Sequence, residues 1–365
     1  MHKWGGGYNS TDQTYSHTGR EPGDTGGAGQ TLHDAISDDP EPEPDNEPES
    51  DEVEDCYEDH VEETEITDRQ AETISDRRDV LVDILSDDME IEESQLIGSY
   101  TRGTMTAPLR EDSDADVMIV LDADEHRQWI EQENGPRNCL NAIKRRIEND
   151  PRFSETEVKV DQNVVQVKYH DSTIEIAPAF RYSEVPHADH PRGMFGLFTD
   201  ASDGYAIPDT HGRQSWQGTN PRKYKQMFDA RDKAHDGKVS GLTRTMKKWA
   251  ESNNVPVRSF HMETMVYNYF EEKARRGEPV PDTYQEMTRE FVQTLPNRVN
   301  NRTKEPVYEE TVDDGMSRSD RRKAAKQAKK AREKLDEAKR LKEEGKTKQA
   351  KEELQDVHGD DFNSD

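Results

Sequence analysis

Apolar residues are sparse along the chain, yet where they occur they keep to recognisable periods. In DRRDVLVDILSDD, Val80, Leu81, Ile84 and Leu85 recur at helical spacing and predict a helix that begins near Thr67. VMIVLD, residues 117–122, is a short continuous apolar run and predicts a buried strand. A helix is expected over roughly 125–149, interrupted at Gly135-Pro136. EVKVDQNVVQVKYH and STIEIAPAF then alternate apolar with polar positions. The pairs Val158/Val160, Val165/Val167 and Ile174/Ile176 fit half-buried strands. The block 80–180 thus predicts helix, strand, helix, strand, strand, a small α/β unit.

After residue 182 the pattern changes. YSEVPHADHPRGMFG is a Gly/Pro/His-rich connection, and GYAIPDTHG follows it. From about 220 the pattern is helical: PRKYKQMFDARDKA, GLTRTMKKWAESNN, SFHMETMVYNYFEEKARRG, then PDTYQEMTREFVQTL. The last segment, SRSDRRKAAKQAKKAREKLDEAKRLKEEGKTKQAKEELQ, predicts a long Ala/Lys/Glu helix with a break at Gly345. Ala324, Ala328, Ala331, Leu335 and Ala338 alternate at four and three residues. Such small residues make a weak coiled-coil seam, so packing on the chain's own helices is expected.

Composition explains the scarcity of apolar residues. The 365 residues are 30% hydrophobic and 35% charged, with a net charge of −29. Residues 1–65 hold 20 acidic residues against Lys3 and Arg20 and supply −18 of that charge. A stretch such as DDPEPEPDNEPESDEVEDCYEDHVEETE buries too little to offset its ordering entropy, so a disordered acidic tail is expected over 1–65. The remaining acidity fits either a salt-adapted surface or an ordinary acidic protein. Both disfavour non-specific binding to duplex nucleic acid. No run approaches the roughly 20 apolar residues of a membrane span. MHKWGGGYNS has no apolar signal region, and Cys56 and Cys139 form neither a disulfide framework nor a Cys-based zinc site. A reducing cytoplasm is therefore expected.

The chemistry concentrates in GSYTRGTMTAPLREDSDADVMIVLD, residues 98–122. Asp114 and Asp116 stand two apart, so in extended backbone both carboxylates project from one face. Converging anions repel unless neutralised, and oxygen donors of this kind suit Mg²⁺ together with substrate phosphates. A third carboxylate would complete a two-metal site for in-line phosphoryl chemistry. Glu175 in STIEIAPAF is the candidate: it lies between Ile174 and Ile176 and faces away from both. It is placed to ligate metal and to help deprotonate an attacking hydroxyl. Gly98 and Ser99 supply a close backbone approach and a hydroxyl for a phosphate. Arg102 and Thr104 extend that loop, which suits a triphosphate.

The combination GSYTRGT…SDADVMIVLD…IEIAPAF resembles the DNA-polymerase-β-type nucleotidyltransferase superfamily. Within it, the chain resembles the branch of oligoadenylate synthases, cyclic GMP-AMP synthases and the prokaryotic oligonucleotide cyclases of CBASS antiphage defence. TMKKWAESNNVPVRSFHMETMV is similar to that family's lysine-bearing helix followed by a basic-Ser-aromatic step. The resemblance implies that Lys247 and Ser259 hold a donor triphosphate and that Phe260 stacks on a base. Lys248 adjoins Lys247, and helical register favours Lys247. AKRLKEEGKTKQAKEELQDVHGDDF also looks like the closing segment of prokaryotic members, so the resemblance covers roughly residues 70–365. The chain departs from the family in having Glu175 where many members have Asp, and Phe260 in place of Tyr. It also lacks the Cys/His insertion of the animal DNA sensors, so direct duplex DNA activation is not expected.

Together these readings predict an α+β fold of two lobes, a mixed-sheet nucleotidyltransferase palm and a C-terminal helical bundle, behind the disordered acidic tail. The expected divisions are 1–65 tail, 66–185 catalytic lobe, 186–310 nucleotide-clamping helical lobe and 311–365 closing helices. The expected activity is Mg²⁺-dependent (or Mn²⁺-dependent) joining of nucleoside triphosphates into a cyclic di- or trinucleotide. Its product would act on an effector receptor, and regulatory protein partners are implied too. An RNA-tailing enzyme, a non-catalytic nucleotide-binding regulator and a toxin that modifies protein or tRNA are the alternatives. His187, Asp189 and His190 are expected in a surface connection, and Trp216 and Trp249 in the core. His261 is expected to be a packed or solvated side chain, and Tyr205 to lie off the acceptor side.

Overall fold

The computed structural model describes residues 51–189, 203–210, 214–359 and 362. In chain order they form α1 (Glu52–Glu63), α2 (Asp68–Ser86), β1 (Ile91–Leu96), α3 (Gly98–Thr101), β2 (Asp114–Leu121), α4 (Arg127–Glu131), α5 (Gly135–Glu148), β3 (Val158–Asp161), β4 (Val164–Lys168) and β5 (Thr173–Arg181). Then come β6 (Tyr205–Asp209), β7 (Ser215–Thr219), α6 (Pro221–Lys233), α7 (Lys238–Ser252), α8 (Ser259–Arg276), α9 (Tyr284–Arg298), α10 (Arg318–Glu343) and α11 (Thr347–His358).

The strands make one mixed sheet in the order β1-β2-β5-β4-β3. β6 pairs with β5, and β7 with β6. β2 and β5 are parallel, and the other pairs are antiparallel. Strand alternation sorts the two faces. Ala115, Val117, Ile119 and Leu121 of β2, with Ile174, Ile176 and Phe180 of β5, enter a core that α2 and α5 close through Ile74, Leu81, Ile84, Cys139, Leu140 and Ile143. Met118 and Val120 of β2 and Ala179 of β5 lie on the other face with Tyr205. Asp114, Asp116 and Glu175 share that second face, which α2 and α5 leave open.

Local sequence explains the helix limits. Thr67 and Gln70 form a capping box at the start of α2. The interruption at Gly135-Pro136 becomes the start of α5. A Cβ at residue 135 would lie 1.8 Å from the Trp129 carbonyl oxygen, and Pro136 occupies the first turn, where its missing N–H costs nothing. The helical part has a separate core built from α7, α8 and α9 (Met246, Trp249, Met262, Phe270, Phe291). The alanine stripe of α10 is buried in this core, against α9 and α11, as expected. Gly345, with φ +73°, separates α10 from α11.

Three expectations are corrected. The disordered tail does not extend to residue 65: α1 is a helix whose Val53, Cys56 and Tyr57 are buried in the helical core, and Val61 is buried too. Its acids have partners distant in sequence. Glu54 accepts the backbone N–H groups of Tyr284 (2.5 Å) and Gln285 (3.2 Å), capping α9. Asp51 pairs with Lys342. The average composition of 1–65 hides the four-residue spacing of Val53, Tyr57 and Val61. Residues 1–50 lie outside the described residues. Second, the stretch 186–310 is not wholly helical, because β6 and β7 extend the sheet; each is five residues long, too short for a clear alternation. Third, the block 80–180 holds more strands than the expected helix, strand, helix, strand, strand: IEESQL forms β1, a half-buried edge strand whose polar composition conceals it, and EVKVDQNVVQVKYH folds into two antiparallel strands, β3 and β4.

Candidate active site

β2 and β5 are in parallel register, with Asp116 opposite Glu175 and Asp114 opposite Thr173. This brings the three carboxylates to one end of one sheet face. Directly before them in space lies the Gly-Ser turn. The Ile97 N–H donates to the Asp116 carbonyl at 2.9 Å, and Gly98 adopts φ +69°. A Cβ on residue 98 would sit 1.9 Å from Asp116 Oδ2, so only glycine lets the loop lie against that carboxylate. The Ser99 carbonyl accepts the N–H groups of Thr104 (3.0 Å) and Met105 (3.2 Å), which folds the loop back on itself.

The carboxylates are electrostatically crowded. Enclosure by the cavity walls, then the charges of Glu175 and Asp116, push Asp114 up to about 7. Burial and Glu175 push Asp116 up to about 6, against the pull of Arg102. Burial also raises Glu175, while Gln166 Nε2 donates to its Oε1 at 2.6 Å and opposes the rise. Among the described residues no three His, Cys, Asp or Glu side chains close around a common metal position. The donor set nonetheless fits a divalent cation: all donors are hard oxygens, and a positive charge between them would relieve the repulsion that lifts both aspartates.

The opposite wall comes from α6, α7 and α8. Gly98, Ser99, Arg102, Thr104, Asp114, Asp116, Glu175, Lys247, Ser259 and Phe260 all line one cavity of about 620 Å³. Ser259 begins α8, an 18-residue helix whose N-terminal amides and dipole favour an anion. Phe260 is 42% exposed, unusual for a large apolar side chain, and stands edge-on to Tyr224 at 5.6 Å. Lys248 is buried, 3.5 Å from Glu251. Glu305 and Glu310 also line the cavity and add negative charge to its wall, and Glu251 lines it paired with Arg110.

Sequence reasoning missed Glu263. It lies one turn after Phe260, fully buried, and gathers three groups that line the cavity. Its Oε1 accepts from Arg102 Nε at 2.6 Å. Its Oε2 accepts from Thr104 Oγ1 at 2.5 Å and from Lys247 Nζ at 3.0 Å. Burial alone would raise Glu263, but Arg102 and Lys247 pull it down to about 2. Burial lowers Lys247, and Glu263 opposes that. The signal was present: in HMETMV an acid interrupts an apolar run, as Glu175 does in IEIAPAF. Tyr224 was also missed. It is 5% exposed, and its ring lies 4.7 Å beneath the Arg102 guanidinium.

The remaining candidates fall elsewhere. His187 is exposed, Asp189 accepts from the Ser215 hydroxyl at 2.8 Å, and His190 lies outside the described residues. His261 is buried with Nε2 2.9 Å from Thr303 Oγ1. Tyr205, Trp216 and Trp249 are buried.

Residues 52–192 match the Second Messenger Oligonucleotide or Dinucleotide Synthetase domain. A protein of Bacillus cereus (strain VD146) named "Probable cyclic nucleotide synthase" is 26% identical over 201 residues, 48% of this chain and 55% of that protein. The chain thus spans about half the length of this curated relative. Solved structures share the fold across most of the chain. E. coli MS115-1 CdnC in complex with HORMA-deltaN has a TM-score of 0.58 at 17% identity over 85% of this chain and 98% of that one. Bradyrhizobium diazoefficiens CdnG, a CD-NTase in complex with GTP, has a TM-score of 0.60 at 11% identity over 85% and 97%. The Vibrio cholerae cyclic AMP-GMP synthase DncV has a TM-score of 0.56 at 12% identity over 86% and 89%. The expected α+β class, a mixed sheet followed by helices, is the observed one, and it is the CD-NTase nucleotidyltransferase fold. Among the described residues no helix is long and apolar enough to cross a membrane.

Proposed function

We propose that the chain is a nucleotidyltransferase that joins nucleoside triphosphates, releases pyrophosphate, and closes the product into a cyclic di- or trinucleotide second messenger. One observation carries this reading. The register of β2 and β5 sets Asp114, Asp116 and Glu175 beside the Gly98-Ser99 turn, across one cavity from Ser259 and Phe260.

In this reading Gly98, Ser99, Arg102, Lys247 and Ser259 hold the donor triphosphate, and Phe260 stacks on its base. Glu175 accepts the proton of the acceptor ribose hydroxyl. The freed oxygen forms its bond to the α-phosphorus, and the bond to the leaving pyrophosphate breaks with its electron pair. Asp114, Asp116 and Glu175 would hold Mg²⁺ or Mn²⁺, which when bound supplies charge stabilisation to the phosphoryl oxygens. The carboxylates of Glu305 and Glu310 on the cavity wall suit a small acceptor better than the phosphates of a long RNA and favour a cyclase over a tailing enzyme. The Bacillus cereus and Vibrio cholerae relatives, named as synthases of cyclic nucleotides, support the cyclic product. A downstream receptor and an antiphage role belong to the same proposal. The CdnC complex with HORMA-deltaN supports a regulatory protein partner here too.

The test is incubation of the protein with all four triphosphates and Mg²⁺ or Mn²⁺, at low and at molar salt, with products resolved by mass spectrometry. Phosphatase-resistant cyclic products are expected. Pyrophosphate release that requires added RNA would replace the cyclase with a tailing enzyme. An inert protein, supplied also with its regulatory partner, would refute catalysis.

A further inference from the structure

Glu263 belongs to no step of the proposed reaction, yet its carboxylate accepts three side-chain hydrogen bonds at the cavity. Its carboxylate is 1% exposed and lies in the cavity wall behind its own partners. Each of its three partners does line the cavity: Arg102 and Thr104 from the loop after Ser99, and Lys247 from α7. The choice of atoms matters. Glu263 takes the Nε of Arg102 at 2.6 Å. Among the described residues neither Nη of Arg102 has a hydrogen-bond acceptor, and neither is a fully buried orphan. A guanidinium held at Nε, with its plane fixed over the Tyr224 ring at 4.7 Å, presents a fork of Nη donors in one direction. Lys247 is similarly fixed, with Nζ 3.0 Å from both Glu263 Oε2 and the Thr104 carbonyl. Only a long third contact, 3.4 Å to Thr104 Oγ1, is left to exchange.

We propose that Glu263 is a positioning residue, one that aims the Arg102 fork and the Lys247 ammonium at the donor triphosphate while holding the loop of Gly98 and Ser99 to α8. The inference rests on the nucleotidyl-transfer reading for the identity of its anion. Two cations against one carboxylate leave a net positive subsite, which suits a polyphosphate and costs less to bury than two unpaired cations. Phe260 and Glu263 are three residues apart on α8, one turn, so the ring that meets the base and the carboxylate that aims the phosphate donors move as one body. Tyr224, edge-on to Phe260 and beneath Arg102, closes the same link from α6.

The test is the equilibrium Kd of ATP, measured by calorimetry on the full chain without turnover, beside steady-state KM and kcat. Glu263→Gln is expected to raise Kd and KM about tenfold with kcat within about threefold, because an interaction that positions the bound triphosphate is uniform binding. Arg102→Lys keeps the charge and loses the fork, and should cost a similar factor. The double variant should be worse than Arg102→Lys alone by less than the full factor of Glu263→Gln, because the two share the Arg102 contact while Lys247 depends on Glu263 alone. Glu263→Asp should restore part of the affinity. If Glu263→Gln fails to fold by circular dichroism, Thr104→Val, which spares both charges, should raise Kd about threefold. An unchanged Kd in the folded variant, or full additivity in the double variant, overturns the proposal. A wild type that binds ATP but makes no product refutes the reaction and leaves the Kd comparison decisive. A wild type that binds none of the four triphosphates overturns both.

Discussion

On the sheet side of the cavity, Asp114, Asp116 and Glu175 crowd like charges, and two of them are pushed up to about 7 and 6. On the helical side, the fully buried Glu263 is pulled down to about 2 by Arg102 and Lys247. Burial acts in the same direction on all four acids; the neighbours decide the outcome. The first cluster is incomplete as it stands and has the chemistry of a cation site. The second is already satisfied, and its use is to hold other groups still. A buried acid thus identifies a site only once its counter-charges are counted.

That contrast can be broken by substitution. The largest effect is expected from Asp114→Ala with Asp116→Ala. Turnover should fall on the order of a thousandfold or more, while the melting temperature holds or rises because repulsion is relieved. Mg²⁺ should raise the melting temperature of the wild type and not of this variant. A marked loss of stability in the variant would show that the aspartates are structural. Next comes Glu263→Leu, which leaves two buried cations unpaired. A stability loss of about 3–5 kcal/mol is expected, read by denaturant unfolding, and a loss below about 1 kcal/mol would dissolve the contrast. Phe260→Ala should leave stability within about 0.5 kcal/mol, since the ring is exposed, yet weaken nucleotide binding by about 1–3 kcal/mol.

Acid titration is the gentlest probe. Burial and Arg321 lower His261 to about 4 against the pull of Asp313. A histidine kept neutral by folding contributes stability that is complete above its unfolded value of about 6.5 and is lost as pH falls through about 4. Glu263, depressed to about 2, contributes stability present above its ordinary value near 4.5 and lost as pH falls toward 2. Stability should therefore decline in two windows, and His261→Gln should shrink the upper one, which the buried His358 shares; an upper window unchanged in that variant would contradict this assignment.

Much of the site was legible because its signals are local. Gly98-Ser99, the same-face pair Asp114 and Asp116, and Glu175 isolated in an apolar strand each follow from the period of extended backbone. The apolar runs of β2 and β5 and the helices α7 to α11 were legible for the same reason. β1, β6 and β7 were not. They are short edge or end strands whose partners, rather than their own alternation, make them strands. α1 was hidden by its acids, which look like a solvated tail until Glu54 is found capping α9 and Asp51 meeting Lys342.

By itself the sequence determined which residues can carry charge, which face of a strand they take, and where helices begin and end, because those follow from backbone period and capping within a few residues. Only the tertiary structure decided that Asp116 stands opposite Glu175, that α1 joins the helical core, and that Glu263 rather than solvent receives Arg102 and Lys247. Each depends on packing between elements distant in the chain. Burial lowers the effective dielectric there, and the choice of partner then sets whether an acid is held charged or pushed towards neutrality.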